Sequence, residues 1–231
     1  AYDDVVASGA EASLRHDAAF RRAIVLEDMG DHRASLKQIK ALSSAEEWTE
    51  AESVSLELCR GIAELSSGRS RRGVERLESG LAALEGSTEQ TWMRARARAA
   101  RARYLLDEAA VLELKGDKKA ARRLSARNAL MIAAEQQVLA IVQLGETEYI
   151  LVGLQEVGDA YLRLHDDLLA APAPRKLDAA MVVIYTEAVA SKAGILKRKA
   201  RQYYGTGLRF AEEAGWEGGA RDSLSLRLSR L

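Results

Sequence analysis

The chain has one cysteine, two prolines and few aromatic residues, which make up 5% of it. A single thiol, Cys59, excludes an internal disulfide and a multi-cysteine metal site. It sits in an apolar helical stretch and reads as a small buried hydrophobe rather than a reactive nucleophile. The scarcity of proline leaves most of the sequence free to form helix. Only Pro172 and Pro174, which flank Ala173, mark a sharp break. Net charge is absent too, with 34 basic against 34 acidic side chains. That balance argues against a uniformly basic nucleic-acid binder. No uninterrupted apolar run approaches the roughly 18–20 residues needed to cross a bilayer, so no membrane span is expected. No secretory-type segment precedes Tyr2, and the expected location is cytoplasmic. Period-two alternation is missing, which argues against a sheet.

What is present favours helix. Hydrophobic residues make up 48% of the 231 positions and charged residues 29%, a globular composition with core to bury. The charge comes in blocks. Residues 1–90 carry a net −6, 91–130 a net +7, 131–190 a net −6 and 191–231 a net +5. Alternating blocks suit helices that lie against one another.

Apolar residues recur at spacings of three and four along nearly the whole chain. The first helix is predicted from Glu11 to Met29, ended by Gly30-Asp31. A short helix carries Leu36, Ile39 and Leu42, and Ser43-Ser44 offers an N-cap ahead of Glu46 and Glu47. A stripe of Trp48, Ala51, Ser55, Leu58, Ile62 and Leu65 follows, up to Gly68. Its partner carries Val74, Leu77, Leu81 and Leu84. A long helix is predicted from Thr88 to Lys115, with Trp92, Ala95, Ala99, Ala102, Leu106 and Ala109 on one stripe. The next carries Ala121, Leu124, Leu130 and Ile132 towards Leu144. Ile150, Leu154, Val157, Tyr161, Leu164 and Leu168 form the most regular stripe. After the prolines, two helices are expected, one with Leu177, Met181, Ile184 and Ala188 and one with Leu196, Ala200, Tyr203, Gly207, Phe210 and Ala214. A capping helix follows from Ala220 to Leu231. The expected fold is all-α, with about nine or ten helices in stacked hairpins: hairpins over 1–171 and a C-terminal helical pair with its cap over 172–231.

Gly30, Gly68 and Gly116 each stand between two helical stretches. Each is followed five positions later by a small residue: Ser35, Gly73 and Ala121. In the second unit Gly61 stands as the small residue of the first helix, and Gly73, Leu77 and Gly80 follow at the crossing positions of the second. Val157-Gly158-Asp159-Ala160-Tyr161 has the form of a first helix in a fourth unit, and Ala200, Tyr204 and Gly207 that of a second helix in a fifth. On these residues the chain resembles a divergent tetratricopeptide repeat array, a right-handed α-solenoid of helix–turn–helix units. The spacings depart from the family's roughly 34 residues, since the three glycines stand 38 and 48 apart.

The resemblance implies a groove lined by first helices that takes a protein or peptide partner. Carried onto this sequence, the groove positions are Asp17, Arg21 and Asp28, then Leu58, Ile62 and Leu65, then Arg103, Asp107 and Glu113, then Gln155, Glu156, Asp159 and Arg163. Arg94, Arg98 and Arg101 fall within about 60° of each other on the long helix and form a basic patch opposite its apolar stripe. Arg96 and Arg103 flank that stripe. A solvated helix face, or a site for an acidic protein segment, accounts for the patch better than nucleic acid, because no aromatic platform accompanies it.

Catalytic patterns are missing. His16, His32 and His165 stand far apart with no metal-ligand spacing, and no phosphate-binding loop or nucleophile elbow is present. The carboxylate pairs Asp3-Asp4, Glu46-Glu47 and Asp166-Asp167 are adjacent, so on a helix they diverge by about 100°. No cofactor, metal or enzymatic activity is expected. The leading expectation is a non-catalytic scaffold or adaptor. The alternatives are a sensor domain that closes around a small molecule or signal peptide, a part of a larger multidomain protein, and a homo-oligomer built through the helices from Thr88 and Thr147.

Overall fold

A computed structural model describes residues 4, 12–44, 48–88, 90–115, 117–174 and 176–231. Several expectations lie outside the described residues: the helix start at Glu11, Asp3, Glu46, Glu47, the turn at Gly116, and the side chain of His16. Among the described residues there are nine helices: α1 Ala12–Asp28, α2 His32–Leu42, α3 Glu50–Ser66, α4 Ser70–Ala83, α5 Thr91–Val111, α6 Ala120–Leu144, α7 Thr147–Ala170, α8 Ala179–Glu213 and α9 Gly219–Ser229. Neighbours in sequence pack as pairs, α1 with α2, α3 with α4, α6 with α7, α7 with α8 and α8 with α9. The pattern is that of stacked hairpins. The chain divides into two compact units, residues 1–100 and 101–231, with the division inside α5.

In the N-terminal unit, glycine sets both the turns and the crossings. Gly30 and Gly68 adopt φ of +82° and +80°, a left-handed conformation that costs other residues energy. At the α3–α4 crossing, a methyl on Gly73 would come within 2.8 Å of the Gly61 carbonyl oxygen and of the Leu65 nitrogen. Backbone therefore lies against backbone there. Leu58, Leu77, Ile39 and Met93 fill the core around this contact, all fully buried. Ser35 is buried as well, and its hydroxyl donates to the Ala23 carbonyl at 2.8 Å, which ties α2 to α1.

Ser43 and Ser44 do not cap α3, as expected from the sequence. Ser43 ends α2, and its hydroxyl donates to the Ile39 carbonyl. The N-cap is Thr49, which closes a reciprocal capping box with Glu52. Trp48 accordingly stands before the helix instead of heading its stripe, and its indole N–H donates to the Leu42 carbonyl at 2.8 Å.

In the C-terminal unit, the inner stripe of α6 is Arg127, Met131, Ala134, Val138 and Ile141. The expected stripe residues Leu124 and Leu130 are half-buried, and Ala121 and Ile132 are exposed. The α7 stripe is as read from the sequence, with Ile150, Leu154, Val157, Tyr161 and Leu164 buried. The two helices expected after the prolines are one, because nothing between Ala188 and Leu196 stops a helix and Gly194 takes no positive φ. Helices α7 and α8, on either side of the expected division at 171/172, pack as a pair. Gly158 of α7 faces the ring of Tyr204 on α8. These two signatures therefore belong to one hairpin, not to a fourth and a fifth. Leu224 of α9, fully buried, fits against Gly207.

Candidate functional site

The residues expected to line a partner groove fall into two sets, one in each unit. In the N-terminal unit, Asp17 and Arg21 are exposed and pair with each other at 2.8 Å across one turn of α1. Asp28, one side of an ion-pair cluster, meets Arg96 at 2.6 Å. The same guanidinium reaches Glu27 at 2.6 Å and lies 5.7 Å from the Trp92 ring centroid. Arg96 is a tie between α5 and α1, a role its flanking position on the stripe did not announce. Leu58 and Ile62 are core residues here, packed against α4 and α5, and offer no surface.

The basic patch on α5 is not a uniform solvated face. Arg94 is only 8% exposed and donates to the Ser87 carbonyl, closing the segment that enters the helix. Arg98 is half-buried, and burial together with the Arg94 charge lowers its pKa. Arg101 lies over the ring of Tyr104 at 5.5 Å.

In the C-terminal unit, the second half of α5 and the middle of α7 bring five of the expected residues into one charged strip. Arg103, 62% exposed, pairs with Glu156 at 2.6 Å. Asp107 stands one turn along α5 from Arg103 and is exposed. Asp107 and Asp159 both raise the Glu156 pKa, so the three carboxylates feel one another. The chief cause of that upward shift is burial, since Glu156 is only 19% exposed, and the pull of Arg103 opposes it. Arg163 stands one turn beyond Asp159 and is exposed, and Gln155 is half-buried. Signs thus alternate along the strip: Arg163 and Asp107 are open to an acidic and a basic group, and Arg103, though paired with Glu156, keeps most of its surface exposed. Glu113 pairs with Lys115 at 2.8 Å and lies outside it.

The strip is braced from behind. The Tyr204 hydroxyl and the Arg227 guanidinium both donate to one oxygen of Asp159, each at 2.7 Å. Beside this lies a second network. Tyr161 and Tyr203 stack with ring centroids 5.7 Å apart, and both hydroxyls donate to one Glu135 oxygen at 2.6 Å. Lys199 donates to the Tyr161 hydroxyl at 2.9 Å. Burial and the shared carboxylates push all three tyrosine pKa values up. These hydroxyls stay protonated and donate, so they serve as braces and not as bases. Arg127, 2% exposed, pairs with Asp167 at 2.6 Å and joins α6 to α7. The only hint of these polar ties in the sequence was the placement of charged and tyrosine residues on otherwise apolar faces.

Among the described residues, no group of histidine, cysteine, aspartate and glutamate could hold a metal ion. A separate open groove of about 630 Å³ runs along α3 and α4, where Glu57 and Glu75 face Arg72 and Arg76. No family model matches the chain, and neither the curated proteins nor the solved structures yield a match.

Proposed function

We propose that the protein is a non-catalytic scaffold of tetratricopeptide-like hairpins that holds a peptide or helix of a partner protein against the Arg103–Arg163 strip. The observation that carries this reading is the strip's construction. Five charged residues from two successive first helices, α5 and α7, share one accessible face. Their backing residues, Tyr204 and Arg227, hold Asp159 without covering Arg103, Asp107 or Arg163. A preorganised charged surface loses little side-chain entropy when a segment docks, and its alternating signs set the register of the bound segment. A partner segment with an acidic residue at each end and a basic residue between them complements it.

The test is a peptide array probed with the intact chain and with Arg103→Glu and Arg163→Glu, both exposed and neither in the core. Peptides captured by the parent chain are expected to lose roughly tenfold or more in affinity to each variant, with the helical far-ultraviolet spectrum retained. Equal capture by both variants would remove the strip from the function.

A further inference from the structure

Among the described residues, the N-terminal half of α8 is a long apolar surface with little covering from the rest of its unit. Its stretch from Ala179 to Leu196 holds only two charged residues, Glu187 and Lys192. An 18-residue window of α8 reaches a mean hydropathy of 1.4, with only 6% of it buried. By length and composition alone this passes for a membrane span, which corrects the expectation from uninterrupted runs. Met181, Val183, Ile184 and Ile195 are 51%, 57%, 67% and 49% exposed. A helix apolar on all sides is ordinarily buried against something.

The side of α8 that packs on its own unit is defined by Ala193, Ala200, Tyr204, Gly207 and Ala211. Met181, Ile184, Ala188, Ser191 and Ile195 follow spacings of three and four on the opposite side, the a and d positions of a two-heptad seam. In that register Glu187 is a g position and Lys192 the e position five residues on. Both are exposed, and neither has an ion pair within the chain among the described residues.

We infer that this face pairs with a second copy of the same chain as a short parallel coiled coil. The charges decide both the occupant and the direction. In a parallel pair, each g residue meets the partner's e residue of the next heptad, so Glu187 meets Lys192 twice across the two-fold axis. An antiparallel pair would set g against g and e against e, which places like charges together. Two heptads are too short to form a stable helix alone. Here the helix is already formed and anchored through Ala193 to Ala211, so pairing does not carry the cost of folding it.

A membrane fits the segment less well. The apolar stretch from Ala179 to Leu196 is about 27 Å long at 1.5 Å per residue, below a roughly 30 Å hydrocarbon core, and both Glu187 and Lys192 are exposed within it. Its tip carries Lys176 and Asp178.

Sedimentation equilibrium of the full chain is expected to show monomer passing to dimer with concentration. Ile184→Glu should weaken this at least tenfold with an unchanged far-ultraviolet spectrum, since Ile184 touches no core. Lys192→Glu should weaken it, and Glu187→Lys combined with Lys192→Glu should restore it. Met181→Cys and Ile195→Cys, tested one at a time, should each form an interchain disulfide, because a parallel seam sets identical positions face to face. A strict monomer at all concentrations would overturn the inference. So would failure of the double charge exchange to restore pairing. Binding of the monomer to anionic phospholipid vesicles, lost in Ile184→Glu, would assign the face to a lipid surface instead and overturn it equally.

Discussion

The two units solve the same problem, close packing of two helices, with different chemistry. At the α3–α4 crossing the N-terminal unit removes side chains: Gly61, Gly73 and Gly80 let backbone and aliphatic side chains meet, and the polar tie, Arg76 of α4 to Glu57 and the buried Glu64 of α3, lies beside that contact. At the α7–α8 crossing the C-terminal unit inserts a large side chain, Tyr204, over Gly158, and anchors its hydroxyl to Asp159. At the glycines themselves the first contact depends on shape. The second depends on shape and on the protonation of a phenol, and it lies directly behind the charged strip. Geometry and charge at the strip are therefore coupled through one residue, whereas at the glycine crossing of the N-terminal unit the close contact is made by groups that do not titrate.

The largest expected effect breaks the glycine contact. Gly73→Val places a side chain against the Gly61 carbonyl and the Leu65 backbone. It should cost about 3 kcal/mol, because backbone cannot yield as a rotamer can. Gly158→Ala meets a ring rather than backbone and should cost about 1–2 kcal/mol. Urea unfolding followed by fluorescence reads both, and equal costs would erase the contrast between the crossings.

Next comes alkaline pH. Tyr161, Tyr203 and Tyr204 have pKa values raised above the unfolded value of about 10. Their contribution is complete below that value and is lost as pH rises through the folded values, so the C-terminal unit should loosen above about pH 10. The N-terminal unit has one such group among its described residues, Cys59, whose thiol burial pushes up to about 12 from 9.0. Tyrosinate absorbance should rise in step with Trp216 fluorescence, while labelling of Cys59 by a thiol reagent lags. Tyr204→Phe should cost about 1 kcal/mol near neutrality and flatten the alkaline loss.

The smallest effect concerns the strip itself. Burial raises the Glu156 pKa above 4.5 despite Arg103. Its contribution is complete below pH 4.5 and fades as pH rises through the folded value, so at neutrality the carboxylate is mildly unfavourable. Glu156→Gln should change stability at pH 7 by less than about 1 kcal/mol, in the stabilising direction. A clear destabilisation, read by thermal melts at pH 5 and 7, would show that the ion pair outweighs the desolvation.

Legibility in the sequence follows the same divide. Apolar stripes with clean spacing, as in α3 and α7, reveal both helix and buried face, because burial there is a matter of hydrophobicity alone. The inner face of α6 was hidden because Arg127 heads it, and an arginine paired to Asp167 satisfies its charge from another helix. The α8 helix was expected as two, but no stop signal stands between Ala188 and Leu196, and Met181 and Ile184, grouped in the first of the two, face outward. On α5, angular position set Arg94 opposite the apolar stripe and Arg103 beside it, yet Arg94 is the one that folds back onto Ser87 and Arg103 the one that faces solvent. Of the candidate strip, Arg103, Asp107, Gln155, Asp159 and Arg163 were picked out through the resemblance. The brace from Tyr204 and Arg227 was not, since it joins residues 45 and 68 positions from Asp159.

The unbroken course of α8 has a mechanical consequence. Thirty-five residues make a rod about 52 Å long. One end is bare; the other carries Tyr203 and Tyr204 and seats the last helix. Such a rod is built to act as a lever: a push or twist delivered at Ile184 would travel along it to Tyr204, whose phenol holds Asp159, and to Tyr203, whose phenol holds Glu135. Whatever grips the bare end therefore has a handle on the spacing of the charges at the far one.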